Sequence, residues 1–190
     1  SDEHDGIIEM PADAPVGAGF AVVTGLDDPI IEIAITPNRA DCLGVRGVAR
    51  DLAAAGYGTL KPLDTSAHEG SFDSPVTWQL DLGGAAHLCP LITGIAFRDV
   101  TNGPSPDWMA RRLTAIGQRP ISALVDITNY VMFDLGRPLH AYDMDKINGG
   151  KLVVRQADGG EPFAALNEKT YEMEAGMITI GDAEGVDDLA

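Results

Sequence analysis

The run Asp126–His140 constrains the fold more than any other stretch of the chain. It reads as a helix starting near Ser122, with the polar pair Thr128 and Asn129 set among apolar residues. Gly136 and Pro138 stop it, and His140 follows at once. A helix interior disfavours Thr and Asn, because their side chains compete for backbone hydrogen bonds. Taken alone, the residues favour a packing account: Thr128 bonded back to its own helix, and His140 satisfied in a core.

The elements around this helix set the fold class. Ile30–Ile35 is expected to be a strand with Ile31, Ile33 and Ile35 on one face. After the Thr36–Cys42 turn, Asp41 is the expected N-cap of a helix from Cys42 to about Ala55. Val45, Val48, Ala49, Leu52 and Ala53 would form its buried stripe. Lys61–Pro75 is polar and reads as a linker. Val76–Leu82 alternates with period two, and Leu88–Phe97 is apolar enough for a central strand. Ser105 is the expected N-cap of a helix whose first residue is Pro106. Met109, Leu113 and Ile116 mark its apolar stripe, with Trp108 packed, and Gly117 closes it.

Strand signals at Lys151–Gln156, Phe163–Leu166 and Met177–Gly181 follow His140. Turns at Asp158-Gly159-Gly160 and Asn167-Glu168-Lys169 separate them. Helices and strands mix without regular βαβ alternation, so the expected class is α+β. The expected division is a small αβ domain over residues 1–60, a linker at 61–75, and a mixed α/β domain over 76–190.

Composition excludes several kinds of chemistry. The net charge of −16 argues against broad, nonspecific affinity for nucleic acid, while leaving room for a local basic contact. Cys42 and Cys89 make no zinc spacing, the four histidines form no helical pair, and no metal site is expected. Gly83-Gly84 and Gly159-Gly160 lack the context of a phosphate loop and read as turns. No apolar stretch approaches a membrane span. The acidic opening Ser1–Asp5 does not resemble a secretory signal. Cys89 with His87 or His140 would be needed for a thiol hydrolase, but Cys89 lies in an apolar run that disfavours the thiolate. Arg39 is expected to brace its turn. The remaining cluster is Arg119, Thr128, Asn129 and His140: a loop leading in, a helix face and a loop leading out. Such a group could bind an anion, an ester carbonyl or an ordered water.

Two separated runs then carry a resemblance. Asp126–Tyr142 and Ile31–Asp51, the latter with Thr36-Pro37-Asn38-Arg39-Ala40-Asp41-Cys42-Leu43-Gly44, closely resemble the bacterial phenylalanyl-tRNA synthetase β-subunit family. Ser1–Glu9 is similar to the segment after that family's OB-fold insertion, and the likeness runs in order along the whole chain. The resemblance implies a fragment of a larger cytoplasmic subunit, holding the small domain before the linker and most of an editing domain after it. The parent would be an α2β2 assembly whose α subunit charges tRNA of the phenylalanine type using ATP and Mg. The editing domain would hydrolyse tRNA carrying tyrosine, without a metal or other cofactor in this fragment.

By the same resemblance, His140, Thr128 and Asn129 would orient the ester and water. Arg119 would contact the tRNA terminus or support the pocket. The family's acidic reader of the tyrosine hydroxyl would fall after Ala190. Leu91-Ile92, Arg137 and Asn167-Glu168 depart from the family's usual residues at their positions. The competing expectation is a noncatalytic structural or interaction module.

Overall fold

The computed structural model describes residues 7–165 and 168–189. The opening Ser1–Asp5, the Leu166 end of the expected Phe163–Leu166 strand, Asn167 of the turn after it, and Ala190 lie outside the described residues. The elements are α1 (Phe20–Thr24), α2 (Val45–Ala54), β1 (Thr77–Asp81), α3 (Asp107–Ala115), α4 (Ala123–Leu135), β2 (Lys151–Gln156), β3 (Pro162–Ala164), β4 (Thr170–Glu172), β5 (Ile178–Gly181) and β6 (Val186–Leu189). This is the expected α+β class. Contacts gather them into two compact units. One takes in the described residues up to Lys61 with Asn102–His140, and the other Pro62–Thr101 with the described residues from Ala141 onward. The expected contiguous division follows chain order, whereas these units interleave along the chain.

The second unit is built on a mixed sheet of order β1-β2-β5-β6. β1 pairs parallel to β2, and β2–β5 and β5–β6 pair antiparallel. Trp78 stands opposite Leu152, Leu80 opposite Val154, and Val154 opposite Ile180, so one face of the sheet is apolar. Leu152, Val154 and Ile180 are buried there with Leu82 and Ala85. β3 and β4 form a separate hairpin.

Leu88–Phe97 is not the expected central strand. It has no ladder; Cys89 and Ile92 pack on the core while Leu91, Ile95 and Phe97 are exposed. Pro90 supplies no amide donor. At Gly94 the backbone runs so close to Trp78 that a Cβ would sit 2.8 Å from the indole Cε2.

The first unit is helical. Ile30–Ile35 forms no strand among the described residues, and Ile31 is 79% exposed. A ladder needs a partner, and none of the described segments pairs with it. α2 begins at Val45 after a 3₁₀ turn at Ala40–Cys42, and its N-cap is Gly44 rather than Asp41. The Asp41 carboxylate accepts instead from Arg39 Nε at 2.9 Å and from Arg50. Cationic donors outcompete a backbone amide for a carboxylate.

The expected α2 stripe is also not the buried side. Val45 and Leu52 are exposed and, with Ala49 and Ala53, line an open groove of about 360 Å³ beside Tyr57–Lys61. The buried side carries glycines. A Cβ on Gly47 would lie 2.8 Å from Cys42 Cα, and one on Gly44 would lie 2.9 Å from the Asp134 carbonyl oxygen. Only glycine lets the turn stack on α2, and α2 on α4, this closely.

α3 starts at Asp107 with Pro106 as N-cap, one residue later than expected. Ser105 does not cap it: its hydroxyl donates to Asp126. Met109 and Leu113 are buried as expected, but Ile116 falls outside the helix and is exposed. Trp108 packs edge-on against Tyr130 of α4, with centroids 5.2 Å apart, and remains partly exposed.

Candidate functional site

α4 is held in place at both ends. The Ala123 amide donates to the Gly103 carbonyl at 2.7 Å, and the Leu124 amide to Asn102 Oδ1 at 3.2 Å. Two of the helix's first free amides are therefore capped by the segment before α3. Ser122, in extended conformation, is the N-cap residue, although its hydroxyl accepts from Asn102 Nδ2 rather than capping. At the other end Gly136, with φ of 70°, donates its amide to the Met132 carbonyl at 2.8 Å. Along the helix, Arg112 Nη1 of α3 donates to the Tyr130 hydroxyl at 2.6 Å.

Between these anchors Asp126, Thr128 and Asn129 are each in a different state, and Asp134, near the C-terminal end, is half-buried with no side-chain hydrogen bond among the described residues. Asp126 is buried and accepts from the Ile121 amide at 3.0 Å and from the Ser105 hydroxyl. Thr128 is half-buried, and its hydroxyl donates to the Val125 carbonyl at 2.7 Å. That is the self-bonded threonine the packing account calls for. Asn129 is half-buried and has no side-chain hydrogen bond among the described residues. A half-buried amide on an apolar helix has unmet donors and acceptors that a ligand or water can satisfy.

Arg119 and His140 flank α4 in loops, and both are exposed. His140 is therefore not the core histidine of the packing account. All four expected site residues belong to one compact unit. The structure sets Thr128 and Asn129 side by side on α4, but no hydrogen bond joins Arg119, Thr128 and Asn129 to one another among the described residues.

A second polar cluster escaped the sequence reading. Arg39 bridges Asp41, Cys42 and Asp51: its Nη2 lies 2.5 Å from Asp51 Oδ2 and 2.8 Å from Cys42 Sγ. Hydrogen bonds from Arg39 hold the Asp41 carboxyl down at about 2 and depress Asp51 as well. Burial, aided by the hydrogen bond to Asp51, pushes the Cys42 thiol up. Arg39 braces its turn as expected, through carboxylates rather than carbonyls. Asp41, Cys42 and Asp51 are also the one group spaced to hold a metal ion among the described residues. Their ligand atoms already face a guanidinium, so the cluster does not fit a cation. Arg39 and Asp51, twelve positions apart, lie in the run that carries the family resemblance, but nothing in their spacing marks them as partners.

Cys89 is a free cysteine of the second unit. Its thiol is half-buried, packs on the sheet core and points at the Leu91 carbonyl, 3.8 Å away. No described helix is long and apolar enough to cross a membrane.

Comparison with known proteins bears on both units. Residues 88–190 match the B3/4 domain family. Over its full length the chain is 55% identical to the phenylalanine–tRNA ligase beta subunit of Brucella abortus, covering 24% of that protein. It is 54% identical to the subunit of the same name from Bartonella henselae and 52% identical to that from Cereibacter sphaeroides, again covering 24% of each. The chain thus spans about a quarter of the length of the curated relatives it matches.

Proposed function

The chain belongs to the B3/4 domain family, and from that premise we propose that it is a segment of a phenylalanine–tRNA ligase β subunit. In this reading its α4 unit forms one wall of a site that hydrolyses tRNA mischarged with tyrosine. The alignment over the full chain supports the first part. The observation that carries the second is Asn129, a half-buried amide without a side-chain hydrogen bond among the described residues, on a largely apolar helix.

The need for such a site is physical. Tyrosine is phenylalanine plus a hydroxyl, and an apolar pocket rejects that addition by only about 10²-fold. Hydrolysis of the wrong ester restores accuracy. A water oxygen attacks the ester carbonyl carbon, and the bond from that carbon to the ribose oxygen breaks. The proton lost by water ends on the ribose oxygen, leaving free tyrosine and tRNA.

Asn129 donates from its amide to the ester carbonyl as negative charge develops there. The Thr128 hydroxyl commits its proton to Val125, so its oxygen is left as an acceptor that orients the attacking water. His140 positions the ribose or water from the loop after α4, and Arg119 meets the phosphate of the tRNA terminus. The partners are tRNA of the phenylalanine type and an α subunit, in a cytoplasmic α2β2 enzyme. ATP and Mg serve that enzyme's aminoacylation centre. The Arg39-filled cluster does not fit Mg, which takes carboxylate oxygens and waters, and no step here runs through either group.

The test is release of tyrosine from mischarged tRNA by the full-length enzyme. Asn129→Ala should slow release by about 10²-fold while leaving phenylalanine charging intact. Release at the unaltered rate would exclude Asn129 from the site. A noncatalytic role for the segment predicts unaltered release for every one of these residues.

A further inference from the structure

We infer that Asp126 is a positioning residue for the proposed proofreading reaction, acting by fixing the loop that carries Arg119. The inference rests on the function proposed above. Asp126 is 1% exposed and is the one buried charged side chain among the described residues. A carboxylate in an apolar interior is costly unless hydrogen-bonded. Here each oxygen has a donor: Oδ1 takes the Ile121 amide at 3.0 Å, and Oδ2 takes the Ser105 hydroxyl. It also sits in the first turn of α4, where the helix dipole favours negative charge.

An apolar residue would fill this place at lower cost in desolvation, so what the carboxylate adds is its two bonds. They tie two segments to α4: Ser105, which precedes the N-cap of α3, and the loop leading into α4. Ile121 is two residues from Arg119, and Pro120 between them fixes its own φ. Arg119 is exposed and makes no hydrogen bond or ion pair among the described residues. The fold therefore fixes only where its side chain is anchored, and that backbone is held through Ile121. Asp126 touches no reacting atom; it places the backbone that carries the cation meeting the tRNA end.

The experiment uses the full-length subunit in its enzyme, with Asp126→Ala, Asp126→Asn, Arg119→Ala and the Asp126→Ala/Arg119→Ala pair. Release of tyrosine from mischarged tRNA is read as separate kcat and KM. Asp126→Ala should raise KM by about tenfold with little change in kcat. Asp126→Asn keeps an acceptor for Ile121 and gains a donor toward Ser105, so it should restore KM. The double variant should be no worse than Arg119→Ala alone. A multiplicative loss in the double variant, or no loss in Asp126→Ala, overturns the inference.

Amide exchange provides a second measurement that needs no activity. In Asp126→Ala the Ile121 amide should exchange faster while the middle of α4 stays protected. Equal loss of protection across α3 and α4, or an unchanged Ile121, overturns it. An unaltered enzyme that releases no tyrosine sinks the proofreading reading, and the exchange result then still decides whether Asp126 holds the loop.

Discussion

Replacing Thr128 by valine separates what its hydroxyl does for the helix from what it does for catalysis. The hydroxyl donates to the Val125 carbonyl at 2.7 Å. That carbonyl lies inside α4, where the regular ladder already gives it the amide four residues on. Removing the hydroxyl therefore strands no buried acceptor. Valine and threonine have similar helix propensity and shape, and Thr128 is only half-buried. The expected stability cost is about 0.5 kcal/mol, the low end for a neutral hydrogen bond. In a domain of this size that lowers the melting temperature by about 1–2 °C.

The catalytic effect should be far larger. If the oxygen of Thr128 orients the attacking water, valine removes the acceptor and tyrosine release falls by about 10²-fold. Thr128→Ser keeps the oxygen and should stay within about threefold of the unaltered rate. The assay is release of labelled tyrosine from mischarged tRNA by the full-length enzyme, beside a thermal melt of the same samples. Release by the valine variant at the unaltered rate refutes the role. A fall in melting temperature beyond about 5 °C refutes the premise that the hydroxyl is structurally dispensable.

Three further outcomes follow from particular contacts. Asp41 and Asp51 have folded pKa values below the ordinary carboxylate value of 3.8, Asp41 near 2. Their contribution is therefore present above about pH 4 and lost as the pH falls toward 2. Amide exchange around Cys42 and Gly47 should rise in that window, and Arg39→Gln should abolish the step; its persistence in Arg39→Gln would point to other carboxylates. Leu113→Ala removes a side chain that is 1% exposed and should cost about 2–5 kcal/mol; denaturant unfolding giving under about 1 kcal/mol would mean the site collapses freely. The Cys42 thiol is buried and shifted toward its neutral form, so alkylation at pH 7 should proceed only as the first unit opens, and labelling at the rate of a free thiol would contradict its burial.

How much of this was legible beforehand depends on what fixes each element. β1, β2 and β5 carry period-two patterns whose apolar residues meet across the sheet, and all three formed close to the expected bounds. α4 formed within a residue of expectation, because Ser122 and Gly136 mark its ends by backbone conformation. α1, β4 and β6 were missed: they are five residues or fewer and carry too little pattern to register. Ser105 and Asp41 have the right chemistry for helix caps, yet both serve carboxylate networks instead. Local preference selects candidates for a cap, while the strongest available partner decides among them.

Ile30–Ile35 and the α2 stripe show a related limit. Apolar spacing states which face wants burial and says nothing of what will cover it. Ile31, Val45 and Leu52 keep the pattern and remain exposed among the described residues. The same distinction governs the candidate site. Asp126, Thr128 and Asn129 look alike in sequence, as polar interruptions of a largely apolar helix that also carries Asp134. Asp126 is engaged by two donors and Thr128 has given its proton to the helix, which leaves the Thr128 oxygen and the whole amide of Asn129. What marks a binding group is therefore the hydrogen-bonding capacity left over once the fold has taken its share. That remainder can be read only after every donor and acceptor has been placed.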